Sequence, residues 1–90
     1  MKKYLLTEKQ VKLLKVIFRN SNKATISDVI REAGYTWSSG YRAIRYLHSL
    51  KLIELNRTGK VVKVKITGKG IRVIRILTEL EAELQWGLGE

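Results

Sequence analysis

Residues 38–50 carry side chains whose types and spacing suit recognition of a polyanion. At about 100° per residue, Gly40, Ala43, Ile44, Leu47 and Leu50 fall on one side of a helix. Ser38, Arg42, Arg45 and Ser49 fall on the other, flanked by Tyr41 and Tyr46, with Ser39 at the edge of the set. Two arginines with hydroxyls and aromatic rings, and no acid, match what a helix needs in the major groove of DNA. A guanidinium can bridge guanine O6 and N7, and serine or tyrosine can hold phosphates or base edges. An ordinary solvated helix face also carries Arg and Ser, so this helix alone leaves both readings open. A second basic group follows: Arg57 and Lys60 flank a turn, and Lys63 and Lys65 point off one strand. These four could reach phosphates or a minor groove beside the helix. The same lysines would also blunt a strand edge against aggregation.

Enzyme chemistry finds no comparable set. His48 is the single histidine and sits in mid-helix between Leu47 and Ser49, where a boundary residue is the expected reading. No carboxylate pair, nucleophile elbow or metal-ligand constellation accompanies it. Gly68-Lys69-Gly70 and Gly87-Leu88-Gly89 match neither phosphate-cradling glycine pattern. With no cysteine, disulfides, thiolate zinc sites and iron–sulfur clusters are excluded. The sequence therefore predicts no enzyme, no metal and no cofactor.

Ninety residues, 44% of them hydrophobic, give one domain's length and a modest core. The formal net charge is +10, unevenly placed. Residues 1–75 hold all 18 basic residues against four acids, a net +14, and residues 76–90 hold four acids and no base, a net −4. Such a body calls for a polyanionic partner, of which nucleic acid is the usual one. No apolar run is long enough to span a membrane. The opening Met-Lys-Lys-Tyr-Leu-Leu stops at Thr7, short of a signal-peptide core. A cytoplasmic, nucleoid-associated protein is expected. Low Asn and Gln with high Lys, Arg and Ile fit a heat-loving source, such as an archaeon or its virus or plasmid.

The elements that must position these residues can be read in order. Thr7-Glu8-Lys9-Gln10 is a T-x-x-Q capping box opening a first helix. Val11, Leu14, Ile17 and Phe18 form its inner face, while Leu13 and Val16 lie off that face and suggest a second contact surface, such as a subunit partner. Asn20-Ser21-Asn22-Lys23 reads as a loop. Thr25 with Asp28 caps a short helix with Ile26, Val29, Ile30 and Ala33 inward and Gly34 just past its end. Tyr35-Thr36-Trp37 makes a turn, and Ser38 or Thr36 caps the third helix, to about Leu50. A strand begins at Leu52-Ile53-Glu54-Leu55, Asn56 to Lys60 is turn chemistry, and Val62, Val64 and Ile66 alternate with Lys63, Lys65 and Thr67: a β-hairpin. A last helix, about Lys69 to Trp86, spaces Val73, Leu77, Leu80 and Leu84 by 4, 3 and 4, a short coiled-coil seam for homodimerisation. The same residues could instead cover the first helix of their own chain. Trp86 is expected to cap the interface.

From Thr7 to about Arg75 the chain resembles the winged helix-turn-helix domain of MarR-type and PadR-type transcriptional regulators. The resemblance rests on Thr25-Ile26-Ser27-Asp28-Val29-Ile30, on Ser38 to Leu47, on Leu50-Lys51-Leu52-Ile53-Glu54, and on Val64-Lys65-Ile66-Thr67-Gly68-Lys69-Gly70, similar to an L-T-x-x-G wing ending. The pattern departs at Lys51, where glycine is frequent, and the chain is shorter than a full MarR-type protein. The resemblance implies an α+β, mainly helical fold with three helices, a β-hairpin wing and a long C-terminal helix. It also implies that the third helix enters the major groove, that the wing touches an adjacent groove or backbone, and that the last helix pairs subunits. The expected organisation is a DNA-binding unit over 1–68 and a dimerisation helix over 69–90. The expected function is a dimeric, sequence-specific regulator on double-stranded DNA. An architectural nucleoid protein without sequence preference, or a winged-helix protein-interaction module, are the alternatives. Operator, target genes and any small-molecule effector are left open.

Overall fold

The computed structural model describes residues 6–20 and 23–89, with side chains described as far as Leu84. Its elements run α1 (Glu8–Asn20), α2 (Ile26–Glu32), α3 (Trp37–Ser49), β1 (Ile53–Thr58), β2 (Val61–Ile66) and α4 (Gly68–Gly89). Each helix start has a local chemical cause. Gln10 donates its amide N–H to the Thr7 hydroxyl (3.1 Å), and its side-chain oxygen accepts from the Thr7 N–H (2.9 Å). Thr25 and Asp28 make the same reciprocal pair at 3.2 and 3.1 Å. Both satisfy first-turn amides that the helix itself leaves open. For α3 the cap is Thr36, so the helix begins at Trp37, two residues earlier than a Ser38 cap would have it.

The ends of α2 and α3 share one geometry. Gly34 N–H donates to Arg31 O and Tyr35 N–H to Ile30 O; Lys51 N–H donates to His48 O and Leu52 N–H to Leu47 O. This is the Schellman closure, with Gly34 (φ +82°) and Lys51 (φ +64°) at the left-handed position. Between α2 and α3 a turn brings the two helices so close that a Cβ on Gly40 would lie 2.6 Å from Ile30 Cγ2.

The core is drawn from every element: Leu13, Leu14, Val16 and Ile17 of α1, Val29 and Ile30 of α2, Ile44 and Leu47 of α3, Ile53 and Val64 of the hairpin, and Ile74 of α4. Two expectations for α1 are corrected here. Leu13 and Val16 are buried within their own chain (0% and 1% exposed) and offer no surface to a partner, whereas Phe18 is 42% exposed. The reason is that α1 is packed on more than one side, by α2 and α3 and by β2 and α4, so its apolar residues need not share one face. No polar or charged side chain is buried among the described residues.

β1 and β2 pair antiparallel from Ile53↔Ile66 to Thr58↔Val61, leaving a two-residue turn at Gly59 and Lys60. Positive φ at Gly59 (+64°) and not at Lys60 is the type II′ arrangement that suits the twist of a hairpin. Asn56, Arg57 and Thr58, expected in the turn, belong to β1. On its other edge β2 gains a short bridge, Thr25↔Lys63, with Val64 N–H donating to Ala24 O at 3.1 Å.

The start of α4 is fastened to the end of α3. Thr67 N–H donates to Leu52 O (3.0 Å), its hydroxyl donates to Lys51 O (2.8 Å) and accepts from Gly70 N–H (3.0 Å), and Lys69 Nζ donates to Leu50 O (2.9 Å). Gly70 has no room for a side chain, since a Cβ there would collide with Leu52 O. Beyond this joint α4 packs on α1, with Ile74 buried in the core and Glu81 paired to Lys15.

Candidate nucleic-acid interface

α3 is the second helix of a helix-turn-helix and presents its polar side outward. Ser38, Ser39, Tyr41, Arg42, Arg45 and Ser49 are all exposed, and Tyr46 is half-buried. The helix faces inward through Gly40, Ala43, Ile44 and Leu47, as its periodicity requires. Ser49 Oγ donates back to Tyr46 O at 2.7 Å, which turns its hydroxyl along the helix. His48 is exposed.

Arg42 borders a shallow recess shared with Thr7, Lys9, Tyr35, Ser39 and Tyr46. There Lys9 Nζ stands 4.8 Å from the centroid of the Tyr35 ring, a cation–π contact that carries another positive charge to the α3 surface. Burial pushes the Tyr35 phenol up. On the opposite flank, Trp37 and Tyr41 stack, with ring centroids 5.7 Å apart and planes inclined by 26°.

Between that flank and the hairpin lies a cleft of about 550 Å³, bordered by Thr25, Ser27, Trp37, Tyr41, Arg57 and Lys60 over a floor of Ile26, Leu55 and Val62. The hairpin divides its four basic residues. Arg57 and Lys60 line the cleft and look toward α3, whereas Lys63 and Lys65 alternate onto the other face, Lys65 opposite Glu54 in the register.

The electrostatics sharpen this division. Ion pairs among the described residues join Lys15 to Glu81 (2.6 Å), Arg19 to Glu32 (2.9 Å) and Arg31 to Asp28 (3.6 Å), none of them on α3 or the hairpin. The Asp28 carboxyl is held below its ordinary range chiefly by the Thr25 hydrogen bonds, and Glu32 by those from Arg19 and Asn20. Asp28 and Glu32 are thus bonded away from α3, and among the described residues Arg42, Arg45, Arg57 and Lys60 make no ion pair. Among the described residues no group of three or more His, Asp or Glu is placed to hold a metal ion.

The predicted seam on α4 is also divided. Val73 packs against the core of its own chain and Leu77 is half-buried, while Leu80 and Leu84 are 51% and 57% exposed. Ile76, outside the expected seam, is 62% exposed and completes a stripe with Leu80 and Leu84. Trp86 lies outside the residues whose side chains are described. No helix among the described residues is long and apolar enough to cross a membrane.

Sequence reasoning missed Lys9 and Trp37. The i, i+4 spacing of Trp37 and Tyr41 is the signal for the latter, hidden where Trp37 reads as a turn residue instead of the first residue of α3.

A helix-turn-helix followed by a hairpin and a long helix is an arrangement found in solved structures. MepR of Staphylococcus aureus, a transcription regulator of the multidrug efflux pump MepA, superposes with a TM-score of 0.82 at 20% identity, over 92% of this chain and 63% of that one. This chain has the winged-helix fold. AF1382 from Archaeoglobus fulgidus matches with a TM-score of 0.79 at 18% identity, over 90% of this winged-helix chain and 92% of its own. FabT of Streptococcus pneumoniae, solved in complex with DNA, matches with a TM-score of 0.77 at 21% identity, over 92% of this chain and 59% of that one. MepR too has been solved with DNA. The chain thus spans 63% of MepR and 59% of FabT. No family model matches the sequence, and no curated protein matches it.

Proposed function

We propose that this winged helix is a transcriptional regulator that binds double-stranded DNA with sequence specificity and acts as a homodimer. The observation that carries the proposal is the ion-pair-free basic face of α3: Arg42 and Arg45 stand exposed on the second helix of a helix-turn-helix, with Arg57 and Lys60 across the cleft. A fold shared with MepR and FabT, both solved on DNA, supports it.

In this reading α3 enters the major groove. Arg42 and Arg45 approach guanine edges, and Ser38, Ser39, Tyr41, Tyr46 and Ser49 hold phosphates or base edges. Arg57 and Lys60 touch the neighbouring groove or backbone, and Lys63 and Lys65 add to the attractive field from the far face of the wing. Residues 1–68 form the reading unit. Residues 69–90 pair it with a second copy through Leu80, Leu84 and Ile76, with Val73 and Leu77 beneath. A two-fold dimer sets its two α3 helices about 34 Å apart, one turn of DNA. The site of action is the cytoplasm, where the DNA is.

Selection of bound duplexes from a random pool, read at two salt concentrations, tests the proposal. A short inverted repeat is expected at both. Uniform recovery of all duplexes would replace the regulator with an architectural DNA-binding protein. Failure to bind any duplex at low salt would leave a protein-interaction module.

A further inference from the structure

Trp37 and Tyr41 are unusual for an exposed basic face. They lie one turn apart on α3, stack at 5.7 Å, and remain 57% and 40% exposed. Burying an apolar ring pair is favourable, so leaving one in water implies something that covers it. The cleft they border has an apolar floor, Arg57 and Lys60 on its far lip, and no carboxylate in its lining. A phosphate backbone satisfies that lip. Trp37 is the first residue of α3, and the N-terminal residues of a recognition helix are the ones that reach base edges.

The chemistry of those edges narrows what two apolar rings can contact. Carbonyl oxygens, ring nitrogens and amino groups all demand polar partners, and thymine's C5 methyl is the one apolar group displayed in the major groove. The Trp37–Tyr41 stack supplies apolar surface already fixed in place, so little side-chain freedom is lost on contact. The geometry points to Trp37 and Tyr41 as a thymine-reading pair, closing on the methyl groups of A·T pairs on the wing side of the bases approached by Arg42 and Arg45. It rests on the DNA-reading proposal and adds a base preference that neither arginine can supply.

The test uses the duplex most enriched in the selection and a copy in which deoxyuridine replaces every thymine, an exchange that removes methyl groups and keeps the base pairing. The wild-type chain is expected to bind the uridine copy about fourfold more weakly per contacted methyl. Trp37→Ala should bind the two copies equally, and Trp37→Phe should keep part of the preference; circular dichroism checks that both variants fold. Equal wild-type affinity for the two copies overturns the inference and leaves the regulator reading standing. A thymine preference unchanged in Trp37→Ala overturns it as well, because the methyls then act through duplex shape. If no duplex is enriched, the inference falls together with the reading beneath it.

Discussion

Lys51 holds φ at +64°, where a side chain crowds the neighbouring carbonyl, while Gly34 closes α2 through the same bonds at +82° with no Cβ to crowd. Lys51 is exposed and its side chain makes no ion pair among the described residues. Replacing it removes the crowding without removing a contact. Lys51→Gly is therefore expected to raise stability by about 1 kcal/mol, the cost of a left-handed non-glycine residue less the extra freedom glycine gains when unfolded; urea unfolding measures it. Arg42 and Arg45 are the converse case, residues whose removal spares the fold. Arg42→Ala and Arg45→Ala should keep the wild-type midpoint of unfolding and lose about 1–3 kcal/mol of discrimination at the base each one reads. Competition titrations with single-base variants of the selected duplex would show this, and unchanged discrimination in both variants would refute the reading-head assignment.

At the scale of elements, the caps make α2 sensitive to acid. The Thr25 N–H and hydroxyl, with Arg31 nearby, hold the Asp28 carboxyl below its ordinary range, and Arg19 and Asn20 do the same for Glu32. A depressed folded value means stabilisation that is complete above the unfolded value, about 4, and is lost as pH falls through the folded one. Asp28→Asn keeps an acceptor for the Thr25 N–H but cannot titrate. Its stability should fall less steeply than wild type in the acid limb, and the two should converge at the lowest pH, as followed by thermal melts across pH. The capping pairs were legible in the sequence because Thr7 with Gln10 and Thr25 with Asp28 stand at the one spacing that lets side chain and backbone bond reciprocally. The inner face of α3 was legible for a similar reason, since a helix buried on one side must repeat its apolar residues every three or four positions. That rule fails for α1, whose Leu13 and Val16 are covered by elements that only the tertiary fold brings there. Nor could composition reveal the conformation of Lys51, which is imposed by the bonds to His48 and Leu47. The strand character of Asn56 to Thr58 was hidden because the outer half of a hairpin needs no apolar alternation.

Over the whole molecule, charge is divided along the chain, with a net +14 in residues 1–75 and −4 in residues 76–90, and the Lys15–Glu81 pair ties the acidic half of α4 to α1. The free stripe of Ile76, Leu80 and Leu84 lies on the acidic half. Leu80→Glu would set a charge into that stripe without touching the core. It is expected to give a monomer by analytical ultracentrifugation and to lose the cooperative occupation of two half-sites. If each subunit neutralises about four phosphates, binding of the wild-type dimer should fall with a log–log salt slope near −7. The monomeric variant should show about half that slope, a comparison that separates loss of pairing from loss of contacts. The fastening of α4 to α3, through Thr67, Lys69 and the closely packed Gly70, bears on the shape of the DNA site itself. A joint bonded at several points is not a hinge, so in a two-fold pair the gap between the two α3 helices is preset by the protein instead of being adjusted to the duplex. Such a molecule is a caliper. Inserting about five base pairs, half a helical turn, between the half-sites carries the second one to the far side of the duplex. A caliper cannot follow it, and the affinity measured by gel shift should drop to that of a single half-site.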